Sequence, residues 1–179
     1  FTLNVNNIAS SISVIENNSP KKKDILSKLY SKIGKAQRIG ITGPPGAGKS
    51  SLIDNLIKIF RSENKKVAVL CIDPTSPFSG GAILGDRIRM LQHHSDKGVF
   101  IRSMASRNAS GGLSLATSEA ADILDASGFD VIIFETLGVG QVEIDVINET
   151  DTVVVVLVPE SGDDIQMMKS GLIEIADLY

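Results

Sequence analysis

The sequence predicts an α/β fold with a mostly parallel sheet, and three observations predict it. Short β-branched runs alternate with stretches of helical periodicity along most of the chain. The runs KVAVLCI, DVIIF and TVVVVLV are apolar almost throughout, as strands buried on both faces are. A glycine-rich segment, Gly43 to Ser50, joins one strand to a helical stripe, and ligands on such sheets bind at the carboxyl ends of strands.

The elements follow in order. Ile8, Ile12 and Ile15 share one helical face. Ser19-Pro20 reads as the cap and first residue of a second helix, whose stripe is Ile25, Leu26, Leu29, Tyr30 and Ile33, with Gly34 as its stop. Residues 1–36 thus form an N-terminal helical segment, and residues 37–179 the α/β domain. RIGIT is a strand. Ser50 to Arg61 is a helix with Leu52, Leu56, Ile59 and Phe60 facing inward. KVAVLCI and VFIRS are strands, with a helix expected between them from Ile83 to Gln92. Leu113 to Ala126 is a helix ending near Gly128. DVIIF and TVVVVLV are strands. The last helix opens at a capping box, Ser161 to Asp164, and buries Ile165, Met168, Leu172 and Ile175.

Composition narrows the function. A length of 179 residues fits one domain with a sizeable core, and 42% hydrophobic with 22% charged residues is an ordinary soluble balance. The net charge of −3 gives no reason to expect nucleic acid or an acidic membrane surface. One cysteine excludes an internal disulfide framework and suits a reducing compartment. The longest strongly apolar run, Val153 to Val158, is too short to span a bilayer. FTLNVNNIAS lacks the basic region and apolar core of a signal peptide. A start at Phe rather than Met is what an excised or processed piece would show.

Gly43, Pro44, Pro45, Gly46, Ala47, Gly48, Lys49 and Ser50 match G-x-x-x-x-G-K-[ST], a phosphate-binding loop, between a strand and a helix as the motif requires. Glycines let the backbone curl so that N–H groups face phosphate oxygens, and the helix adds its positive end. Lys49 is expected to reach the β- and γ-phosphates, the Ser50 hydroxyl to bind Mg²⁺, and Ser51 to complete the nucleotide site. Magnesium prefers oxygen ligands and keeps several waters, so acids at neighbouring strand ends are its expected partners. Glu135 ends VIIF and Asp73 ends KVAVLCI. Asp86 lies in a loop containing Gly80, Gly81 and Gly85. It has two readings, a helix cap and a metal ligand on a switch, and one residue can serve both. Gly138 is placed to sense the γ-phosphate through its N–H. Cys71 reads as core packing, and His93-His94 as surface. Arg87 and Arg89 read as surface arginines rather than phosphate fingers.

GITGPPGAGKSSL, IDPTSPFSGGAILGDRIRM, ETLGVGQ and GDDIQMMKSGLIEIADL resemble, in order and spacing, the MeaB/ArgK/MMAA GTPases. The resemblance covers nearly the whole chain. It implies a three-layer G domain of the SIMIBI class of P-loop proteins that binds GTP or GDP with Mg²⁺. It implies a homodimer serving an adenosylcobalamin-dependent acyl-CoA mutase such as methylmalonyl-CoA mutase, in the cytoplasm or the mitochondrial matrix. By position it makes Lys49, Asp86 and Glu135 the catalytic group. Ser50, Asp73, Asp86 and Glu135 become the metal group, and residues 162–171 a further switch. The family's guanine-reading N-K-x-D follows the A-D-L segment, and this chain stops at Tyr179 before it. Arg107 to Gly112, Gln141 to Glu143 and Asp164 to Met167 depart from the common family pattern, and they bear on the partner surface rather than on phosphate chemistry.

An older label for some members, an arginine/ornithine (LAO/AO) transport ATPase or kinase, supplies the alternative. A kinase needs an acceptor site and a base, and no such constellation stands out. A nickel metallochaperone would need His-rich tails or paired Cys/His ligands, and a ParA-like ATPase an extra lysine where Pro44 and Pro45 stand.

Overall fold

Five strands form one sheet: β1 (Gln37–Thr42), β2 (Val67–Asp73), β3 (Val99–Ala105), β4 (Val131–Thr136) and β5 (Thr152–Val155), in the order β3-β2-β4-β1-β5. All four pairings are parallel. The architecture is that of a computed structural model, which describes residues 5–73, 91–93, 95–105, 112–136, 144–145, 147, 149–158 and 172–179. Around the sheet lie α1 (Val5–Glu16), α2 (Lys22–Leu29), α3 (Lys49–Ser62), α4 (Gly112–Ala126) and α5 (Leu172–Ile175). Short 3₁₀ turns occupy Tyr30–Lys32 and Leu91–His93.

The strand period of two divides the core between the faces. Ile39, Ile41, Val69, Cys71 and Ile133 pack against Ile53 and Ile57 of α3. Leu70, Ile72, Ile132 and Phe134 pack on the other face with Ile8, Ile12 and Ile15 of α1 and with Ala120, Ile123 and Leu124 of α4. This is the predicted three-layer α/β arrangement. The N-terminal helices share a core cluster with the sheet and are tied to it by charge. Arg102 on β3 donates to Glu16, to Ser13 Oγ at 3.0 Å and to the Ala9 carbonyl at 3.3 Å. Lys22 on α2 pairs with Glu119 on α4 at 2.7 Å.

Carboxylates hold the amino ends of the strands. Asp125 accepts backbone N–H groups from Gly34 at 2.6 Å, Lys35 at 3.2 Å and Ala36 at 3.1 Å, which fixes the entry to β1. Asp151 accepts from Arg38 N–H at 2.8 Å, Asp130 from Lys66 N–H at 2.7 Å and Asp177 from Val153 N–H at 2.7 Å.

Three expectations shift. The second helix starts at Lys22, two residues past Pro20, and Ser19 contributes its carbonyl to Lys22 N–H (2.9 Å) instead of a side-chain cap. Tyr30 is 79% exposed, because the 3₁₀ turn rotates it off the stripe. In α3 the fully buried pair is Ile53 and Ile57. Leu52, Leu56 and Phe60 flank it, and Ile59 is 53% exposed, being roughly 200° round the helix from Ile57. Of the helix expected from Ile83 to Gln92, only Leu91 and Gln92 have a described backbone, within the 3₁₀ turn Leu91–His93. The capping box at 161–164, Ile165 and Met168 lie outside the described residues, and Leu172–Ile175 is helical as expected.

Candidate functional site

Residues 43–48 link the carboxyl end of β1 to the amino end of α3, so the loop sits where an α/β sheet places ligands. Gly43 has φ 141°, and a Cβ built there would stand 2.3 Å from the Val156 carbonyl oxygen. Gly48 caps α3 in the left-handed region, at φ 93°. Pro45, Gly46 and Gly48 are exposed, so the mouth of the loop faces solvent. The opening turn of α3 directs backbone N–H groups toward that mouth. Lys49 is buried, and its ammonium donates to the carbonyls of Gly43 (2.7 Å) and Pro44 (2.9 Å), laying the side chain along the loop.

Glu135 completes the arrangement. It stands one residue from the end of β4 and is 1% exposed. The parallel register sets it beside Ile41 on β1 and Cys71 on β2. Its neighbours supply donors. Ser50 Oγ donates to Oε1 at 2.7 Å, and the Cys71 thiol to Oε2 at 3.6 Å, hydrogen-bond range for sulfur. On the opposite face of the sheet, Thr136 Oγ1 donates to Thr42 Oγ1 at 2.8 Å, joining the root of the loop to the end of β4.

The donor chemistry fits magnesium. A hydroxyl and a carboxylate lie side by side at a helix amino end, both hard oxygen donors. Among the described residues no group of three or more His, Cys, Asp or Glu gathers to hold a metal.

Gly43 to Gly48 therefore form the loop and Lys49 to Ser51 the opening of α3, with Glu135 against Ser50. Asp73 closes β2, but its side chain lies outside the described residues. Asp86, Gly138, Arg87, Arg89, His94 and residues 159–171 also lie outside them.

Two features escaped the sequence reading. His93 is buried rather than at the surface, because Asp54 on α3 offers it a carboxylate. Ionised Asp54 can only accept, so His93 Nε2–H donates to Oδ1 (2.7 Å), Gln92 donates to the same oxygen, and Lys58 Nζ donates to Oδ2 (2.6 Å). The Lys58 hydrogen bond holds the Asp54 carboxyl below its ordinary range, against the opposing effect of burial and with help from His93. An open cleft of about 430 Å³ lies beside this cluster, lined by Ser50, Ser51, Asn55 and Gln92 among others. The Asp54–Lys58 spacing of four was a legible signal; the partner from residue 93 was not. The second feature is the Cys71 contact. Its signal was available: setting Val67 opposite Val131 brings Cys71 opposite Glu135.

Residues 8–179 match the family described as methylmalonyl Co-A mutase-associated GTPase MeaB.

The chain belongs to the MeaB family.

A Pyrococcus horikoshii protein named as a GTPase is 57% identical to this MeaB-family chain over 172 residues, covering 96% of the chain and 54% of that relative. Escherichia coli GTPase ArgK is 38% identical over 175 residues, covering 96% of the chain and 53% of ArgK. A crystal structure of an LAO/AO transport system kinase superposes with a TM-score of 0.72 at 29% identity, over 96% of the chain and 50% of that structure. The MeaB-family chain spans about half the length of the curated relatives it matches. No described helix is long and apolar enough to cross a membrane.

Proposed function

We propose that this chain is the nucleotide-handling part of a Mg²⁺-dependent GTPase that serves an adenosylcobalamin-dependent acyl-CoA mutase. The carrying observation is the contact between Ser50 and Glu135 at the mouth of a glycine-rich loop. The loop backbone and the amino end of α3 bind the phosphates. Lys49 leaves the Gly43 and Pro44 carbonyls for the β- and γ-phosphate oxygens, which a cation satisfies better. Ser50 and Glu135 would hold the magnesium with its waters, joined by Asp73 and Asp86; when bound, the metal neutralises charge that builds on the transferring phosphoryl group. Glu135 also orients the attacking water. Gly138 reports the γ-phosphate, and the 80–90 and 162–171 segments carry that report to the partner. Guanine preference and the mutase partner are carried by membership of a family of methylmalonyl Co-A mutase-associated GTPases, and homodimerisation by the resemblance to the MeaB/ArgK/MMAA proteins. The same reading puts the protein in the cytoplasm, or in the matrix of a mitochondrion.

The test is turnover of GTP and of ATP by the full-length protein with Mg²⁺, with and without such a mutase. GTP-selective turnover stimulated by the mutase is the expected result. ATP turnover indifferent to the mutase would leave only a P-loop hydrolase. The likeness to the LAO/AO transport system kinase favours one other reading, phosphoryl transfer to a transport protein. Label passing from ATP to a protein acceptor rather than to water would establish it.

A further inference from the structure

We propose that Cys71 is a positioning residue for Glu135: its thiol donates to Oε2 and so sets the rotation of the carboxylate that presents Oε1 to Ser50. The inference rests on the reading of Glu135 given above and goes beyond it, since the sequence assigns Cys71 only to core packing.

A carboxylate at the end of a strand can turn about its last torsion, which is broad. Turning it exchanges which oxygen meets Ser50 and which way the lone pairs point. Glu135 sits among apolar neighbours, Ile41 and Ile133 on the same face, which hold its stem but give its oxygens no direction. Two side-chain donors supply direction. Ser50 reaches Oε1 at 2.7 Å and Cys71 reaches Oε2 at 3.6 Å. Their mobility differs. Ser50 is half-buried in the first turn of α3, at the mouth where a nucleotide arrives. Cys71 is in a central strand, 4% exposed, with its backbone paired on both sides. When the Ser50 hydroxyl turns to a cation, the thiol stays in place beside Oε2. A buried partner that orients a metal-binding group from behind commonly matters about tenfold to a hundredfold in metal affinity or activity. A thiol is a weak donor, so the low end is expected.

The test uses two readouts on the full-length protein, the Cys71 thiol signal being identified by its loss in Cys71→Ala. The first is the infrared S–H stretch, which lies in a window clear of other protein bands. In the wild type it should be lowered by bonding to a carboxylate. Glu135→Gln should raise it, because an amide is a poorer acceptor. The second is the Mg²⁺ concentration that half-retains a fluorescent GDP. Cys71→Ala should raise that midpoint about threefold to tenfold, and Cys71→Ser should return it to within about twofold of wild type. Cys71→Val, which fills the space without a donor, should behave like alanine and so separates packing from hydrogen bonding. An S–H band indifferent to Glu135→Gln, or an alanine midpoint equal to wild type, overturns the proposal. If Glu135→Gln itself leaves the Mg²⁺ midpoint unchanged, the reading of Glu135 fails first and takes this inference with it. If Glu135→Gln moves the midpoint and Cys71→Ala does not, only the inference is lost.

Discussion

The two ends of the sheet treat buried carboxylates in opposite ways. At the amino end, buried Asp125 is bound by three consecutive backbone N–H groups, while Asp130 and Asp151, both exposed, take one each. At the carboxyl end, Glu135 is bound by a hydroxyl and a thiol. Backbone amides cannot leave without undoing the fold. A serine hydroxyl can turn away at the cost of one torsion. The first kind of acid is therefore a fastener, and the second can exchange its partner for a metal or its water. Burial alone does not separate the two, since Asp125 and Glu135 are both nearly inaccessible. What marks Asp125 is that three of its donors belong to the main chain, whereas Glu135 takes a hydroxyl from the mouth of the loop.

Substitutions at the two ends should diverge. The largest effect expected is at Glu135. Glu135→Gln should slow GTP hydrolysis on the order of a thousandfold while nucleotide still binds, with melting temperature unchanged or raised because a buried charge is gone. Single-turnover hydrolysis and a melting curve check both halves, and normal turnover would end the contrast. Next is Lys49→Ala, which should weaken triphosphate binding about a hundredfold in a titration, since a charged donor to phosphate is lost. Asp125→Ala should do the reverse of Glu135→Gln. It should destabilise by about 2 kcal/mol in a denaturant titration, by stranding the N–H groups of residues 34–36, and leave the affinity of the folded fraction intact. A stability equal to wild type would mean that main-chain donors do not make an acid a fastener. The smallest effect is at Asp54, a carboxylate with side-chain donors one turn along α3 from Ser50. Its folded pKa is depressed, so its contribution to stability is complete above the ordinary carboxylate value of about 4 and fades as pH falls through the lowered value. Melting between pH 5 and about pH 2 should therefore fall less steeply in Asp54→Asn than in wild type.

Much of this was legible because the sheet is parallel and buried. Apolar runs such as VIIF have no other stable place, and the loop at Gly43 to Ser50 needs a strand before it and a helix after it. Glu135 was legible for the same reason: an acid at the mouth of such a strand is costly without a use. Contacts that join distant parts of the chain were not. No local pattern tells that Asp125 will reach residues 34–36, or that His93 will find Asp54. In α3 the inward set Leu52, Leu56 and Phe60 does pack on the core, but Ile59 does not and Ile53 and Ile57 are added, because these six residues offer two overlapping stripes. Only the sheet opposite selects Ile53 and Ile57.

Gly43 carries a consequence for heredity. The atom that a Cβ would strike there is a main-chain carbonyl, Val156 O, and Val156 N–H is itself bound to the Thr42 carbonyl at 2.8 Å. Neither side can give way by turning a side chain. Every missense change in a glycine codon adds at least a Cβ, so this codon should have no mild alleles. Alanine and tryptophan at residue 43 should fall in the same severity class, and a lineage that drifts freely at the neighbouring Pro45 should stay fixed here.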